Sequence, residues 1–171
     1  MPKKVAFLLL LAVMLIFKYG FFGPIVASLH VENTFDTQFW TPSGAEAILK
    51  SFGSALPAYY HLETSVDLLF PLIYSFTFAV AIAGLAPIAR APRVLALIPF
   101  VTAVFDYAEN ASVVTMILHY QAKEPLGIAA TIGSLATGAK LVLFLTSFAT
   151  TIVLAIVALI RSRAHAPVAV T

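Results

Sequence analysis

The sequence predicts an all-α integral membrane protein: a bundle of four antiparallel helices with both termini cytoplasmic and a short amphipathic helix in the outer loop. Three observations carry this. Of the 171 residues, 61% are hydrophobic and only 11% charged, too little charge to cover the surface of a soluble domain. The apolar residues come in long blocks, each able to cross a hydrocarbon core about 30 Å thick. The basic residues stand at the block ends. With four crossings, Lys3, Lys4, Arg90, Arg93, Arg161 and Arg163 share one side and Lys50 and Lys123 the other, which puts the first group in the cytoplasm.

The first helix is expected over residues 5–28. Lys3-Lys4 and the apolar run behind them have the outline of a secretory signal. However, no small-x-small cleavage site follows, and apolar sequence resumes after Lys18. Gly20, Gly23 and Pro24 are expected to loosen the outer end of this helix. Residues 31–60 form the long polar loop, rich in boundary aromatics such as Phe35, Trp40 and Tyr59. Within it, Ser43-Gly44-Ala45-Glu46 has capping-box form. Ala45, Ile48, Leu49 and Phe52 follow on one face, predicting an interfacial helix over 44–52 that lies on the outer leaflet or lids the bundle. Gly53 and Pro57 are expected to end it.

The second helix is expected over 64–89, with Asp67, Pro71, Tyr74 and Phe78 on one face and Pro71 freeing a carbonyl near the site. The third, over 94–118, carries Thr102, Asp106, Glu109, Asn110 and Val113 on one face. The fourth, over 127–160, has a small-residue stretch from Gly127 to Gly138 suited to close helix contact. Its Thr137, Lys140, Phe144, Ser147 and Thr151 share a face. Residues 1–163 are expected to be one transmembrane domain, and 164–171 a flexible tail.

The candidate site grows from Asp106-Tyr107-Ala108-Glu109-Asn110. Asp106, Glu109 and Asn110 fall at i, i+3 and i+4, so they share a helix face. A charge at mid-bilayer costs a few kcal/mol or more, so that face must turn to other helices or to water. Counting about 1.5 Å per residue from the basic flanks places Lys18, Asp106 and Glu109 roughly 18–22 Å up and Asp67 and Lys140 roughly 30–33 Å up. Three potential negative charges stand against two positive ones, with pairs such as Lys18–Glu109 or Asp106–Lys140.

The predicted pocket has Asp106 and Glu109 as floor, Asn110 orienting, Lys18 and Lys140 as counter-charges, and Asp67 and Tyr74 at the rim. It would bind a cation, a proton or a small amphipathic ligand. The same charges can instead serve only to pair helices. A second pattern is three imidazoles, His30, His61 and His119, at the outer helix ends, a candidate metal site without tight ligand spacing.

Several classes are excluded. There is no cysteine, hence no thiolate metal site, iron–sulfur cluster or thiol nucleophile. There is no P-loop or dinucleotide fingerprint, and no cofactor is expected. A net charge of +2 does not indicate a nucleic-acid partner. The Asp106–Asn110 run is loosely similar to the Asp-rich motifs of intramembrane prenyltransferases, but the chain has too few helices for such a bundle.

The alternative to a binding protein is a membrane enzyme acting on a lipid or isoprenoid, with Asp106 and Glu109 as acid and base. A third reading is a subunit that meets a membrane-protein partner, or its own copy, through the small residues of the fourth helix. The alanine-rich, cysteine-free composition fits a bacterial inner membrane, and lipids are the expected surroundings.

Overall fold

The computed structural model describes residues 3–31, 34–35 and 39–164, and among these every regular element is helical. Four helices are long and apolar enough to cross a membrane: Phe7–Ser28, Phe70–Ala89, Arg93–Ala122 and Gly127–Ser162.

The first begins as α1 (Lys3–Ile16), widens into a π-helical turn at Phe17–Phe22 and resumes as α2 (Gly23–Ser28). Pro24 has no amide hydrogen to give the Gly20 carbonyl, so the α-register fails there. The Gly23 N–H bonds to the Lys18 carbonyl five residues back instead, the wider π spacing. A Cβ at Gly23 would lie 3.0 Å from that carbonyl oxygen. The expected loosening is thus a specific change of register, and it falls at Lys18.

The loop holds two helices, α3 (Ala45–Phe52) and α4 (Leu56–Glu63), after a 3₁₀ turn at Pro42–Gly44. The expected Ser43/Glu46 capping box does not form. Thr41 takes the cap, its Oγ1 accepting from the Gly44 N–H at 3.2 Å, because Pro42 starts the helical turn earlier. Pro57 also departs from expectation: it sits in the first turn of α4, where a missing N–H costs nothing. Ala45, Leu49 and Phe52 are buried together with Phe35, Trp40 and Tyr59 against Val113, Met116 and Ile117. The amphipathic helix therefore lids the helical core.

Residues 64–69 form turns, and α5 (Phe70–Ala89) starts six residues later than expected. Pro71 lies in its first turn and so starts the helix; it frees no carbonyl in the interior. A 3₁₀ turn at Arg93–Leu97 leads into α6 (Ile98–Ala122), and α7 (Gly127–Ala164) follows. α5 and α6 close in the same way. Arg90 and Lys123 adopt left-handed φ of 54° and 59°. The next amides reach back five residues, Ala91 to the Ala86 carbonyl at 2.8 Å and Glu124 to that of His119 at 2.9 Å, the Schellman pattern. Ala164 still belongs to α7; the rest of the expected tail lies outside the described residues.

α5, α6 and α7 pack on one another, whereas α1 leans on α5. Half of the most apolar window of α5 is buried and none of that of the first helix. Ser75 Oγ donates to the Pro99 carbonyl at 2.7 Å, and Arg161 Nη1 to the Ala89 carbonyl at 2.6 Å. A small apolar cluster of Ile82, Ala86, Ala89 and Leu154 fills the end nearest the Arg90 turn.

Candidate functional site

The helix face predicted on α6 is buried as a unit: Thr102, Asp106, Glu109, Asn110 and Val113 are all inside. Facing it on α7 are Thr137 and Lys140, both buried. Lys140 Nζ lies between the two carboxylates, 3.1 Å from Asp106 Oδ1 and in direct contact with Glu109 Oε2. The expected Asp106–Lys140 pair is present. The Lys18–Glu109 pair is not, because Lys140 takes Glu109.

The second oxygen of each carboxylate is also held. Tyr74 of α5 donates to Asp106 Oδ2 at 2.9 Å. Thr137 Oγ1 contacts Glu109 Oε1 and accepts from Trp40 Nε1 at 3.0 Å. One chain of contacts thus runs from the lid through Trp40, Thr137, Glu109, Lys140 and Asp106 to Tyr74. Such a network fixes each charge by hydrogen bonds, which offsets part of the desolvation cost of burying it.

Counting from the basic flanks had set Lys140 some 10 Å above Asp106, yet the two touch. Arg161 is a poor level marker: its long side chain reaches back to Ala89, so α7 overshoots the end of α5. Asp67 precedes α5 and accepts from Asn110 Nδ2 at 2.8 Å. Asn110 Oδ1 has no hydrogen-bond partner among the described residues. Asn110 therefore orients Asp67 and not the Asp106/Glu109 pair.

A cavity of about 150 Å³ opens beside the network. Asp67, Asp106, Lys140 and Tyr74 line it, as does Lys18. Glu109, expected in its floor, and Asn110, expected to orient the pair, do not. Of the two carboxylates considered as an acid/base pair, only Asp106 lines the cavity. The remaining wall is apolar, from Phe22, Phe70, Leu141 and Phe144. Phe70 and Phe144 both pack edge-on against Tyr74, at 5.5 and 5.3 Å between centroids. Lys18 is exposed, and its ammonium stands 5.6 Å from the centroid of the Phe70 ring, a cation–π distance.

Four participants were not legible as site residues. Trp40 read as a boundary aromatic, Thr137 and Phe144 only as members of the Lys140 face of the fourth helix, and Phe70 was assigned no role. One signal for Trp40 was present in Gly133. A Cβ there would lie 2.9 Å from the indole and 3.0 Å from Ser112 Cβ, so the small-residue stretch of α7 receives the lid. Gly138 likewise meets Phe39, at 3.3 Å from its Cβ position. That surface, offered above as a docking face for a partner, is covered at these two positions by the chain's own loop.

Among the described residues no group of three or more His, Asp or Glu side chains is placed to hold a metal ion. His30, His61 and His119 are not gathered. Glu63, the last residue of α4, is by contrast fully buried. No family model, curated protein or solved structure matches the chain.

Proposed function

We propose that this chain is a multi-pass membrane protein that binds a small amphipathic ligand by a cationic head group. The observation that carries the reading is the charge balance around the cavity. Asp67 and Asp106 line the cavity with Lys140 and Lys18, and Glu109, sealed behind Lys140, adds a third formal negative charge to the same network. Lys140 serves two carboxylates at once, which leaves an excess of one negative charge beside an opening. Phe70, Tyr74, Phe144 and Phe22 surround that opening, and aromatic faces favour an ammonium. A cavity of about 150 Å³ accepts a head group and not a whole ligand, since drug-sized sites run roughly 300–1,000 Å³.

The basic residues support an orientation with both termini and the Arg90–Arg93 turn in the cytoplasm and the Trp40 lid outside, and the composition suits a bacterial inner membrane. The absence of native cysteine makes the orientation testable. Single cysteines at Ser54 and Ser162 should label with an impermeant maleimide only from the outer and the cytoplasmic face, respectively; the opposite pattern refutes it.

The ligand is tested by native mass spectrometry of protein gently extracted from its own membrane, wild type beside Asp106→Asn. An amine-bearing amphiphile bound to wild type and lost in the variant supports the reading. The same species bound to both, or an anionic one, refutes it.

A further inference from the structure

The ligand's apolar part also has a place. Resting on the reading of a cationic head at Asp106, we propose that the ligand carries a single alkyl or acyl chain, held in a groove that continues the same seam of α5 toward the Arg90 end. A second cavity, of about 420 Å³, lies there. It is formed by Phe7 of α1, by Ala81, Gly84 and Leu85 of α5, and by Thr151 and Ala155 of α7. The same three long helices wall both chambers, and the register agrees on each. Tyr74 and Phe144 line the first; Ala81 and Thr151, two helical turns on, line the second, an advance of about 10 Å. The first helix runs the other way, from Lys18 down to Phe7. Between the chambers stands Phe78, edge-on to Phe144 and Phe148 at 5.6 and 6.4 Å.

A charged chamber above an apolar one at this spacing matches a cationic head and one chain. The volume lies within the roughly 300–1,000 Å³ range of ligand sites. Ile88, at the edge of the groove, is half exposed, so a chain can move in sideways from the bilayer. The excess negative charge at the head end distinguishes this occupant from a neutral lipid chain that merely fills a crevice. Gly84 marks the centre of the groove: a Cβ there meets nothing within 4 Å.

The test uses the full chain in nanodiscs of phosphatidylcholine and a hexadecylamine carrying a mid-chain diazirine. After irradiation, adducts are expected on residues 81–88 and 151–155, and excess butylamine, which offers only a head, should suppress them. Gly84→Leu fills the groove and should cut them by about tenfold; the added side chain enters open space, so thermal unfolding and butylamine binding should not change. Gly84→Ala should behave as wild type, and Asp106→Asn should lose both butylamine and the adducts.

Butylamine bound at Asp106 without groove adducts overturns the groove and leaves the head site standing. Groove adducts that ignore both butylamine and Asp106→Asn overturn the joint occupant, leaving a lipid crevice. Adducts spread over lipid-facing residues such as Leu145 and Ile156 also overturn it. Failure of butylamine to bind wild type overturns the head-group reading itself.

Discussion

The two lysines on apolar helices are held in opposite ways. Lys140, on α7, is buried between Asp106 and Glu109, and its carboxylates are braced by Tyr74 and Thr137. Lys18, on the first helix, is exposed, sits in a π-helical turn and stands at cation–π distance from the ring of Phe70. The α6–α7 interface is over-determined; the α1 flank is held by α5 alone among its strong contacts. Both border one cavity. Under the proposed reading, the braced charged wall of α6 and α7 would set the charge of a ligand, and the less-packed first helix its access. Irregular π turns recur at functional sites, and here the turn sets the position of Lys18.

The largest effect that can break this contrast is Lys140→Met. It leaves two buried carboxylates without their cation and should destabilise the protein by about 3–5 kcal/mol, read as loss of folded protein in thermal unfolding. If Lys140→Met unfolds like wild type, the buried network is not structural.

Next comes Gly133→Leu, which forces the indole of Trp40 off α7. Overpacking of this kind costs about 1–3 kcal/mol, and the lid amides of α3 and α4 should exchange faster with deuterium while those of α5 do not change. Thr137→Val removes the acceptor of Trp40 and a partner of Glu109, at about 1–2 kcal/mol, with the same signature in the lid.

Smallest in stability and sharpest in sign is Lys18→Met. An exposed cation with no ion pair among the described residues contributes about 0–1 kcal/mol, so unfolding should not move. Removing a positive charge from the cavity mouth should tighten butylamine binding by about threefold in calorimetric titration. Weaker or unchanged binding would contradict an ammonium seated within reach of the Lys18 charge.

The long helices and the buried face of α6 were legible because apolar block length and the i, i+3, i+4 spacing are properties of sequence alone. So was the apolar face of α3. What was not legible depended on tertiary placement. Pro57 read as a helix end and Pro71 as a mid-helix residue freeing a carbonyl, because a proline ends one helix, interrupts another or starts a third with the same chemistry, and only the neighbouring turn decides. Lys140 was set too far from Asp106 because flank counting assumes that Arg161 marks a level, whereas its side chain spans a turn to reach Ala89. Trp40 pairs with Thr137 across 97 positions of sequence, a contact no local pattern encodes. Glu109 and Asp106 look equivalent in sequence; the groups on α7 seal one and leave the other at the cavity.

The most direct test is infrared difference spectroscopy of the protein in nanodiscs while butylammonium is washed in and out. A reversible shift of a carboxylate stretching band is expected, one that disappears in Asp106→Asn and persists in Lys18→Met. A spectrum in which butylammonium moves no carboxylate band, or moves one that survives Asp106→Asn unchanged, would contradict a cationic head group at Asp106.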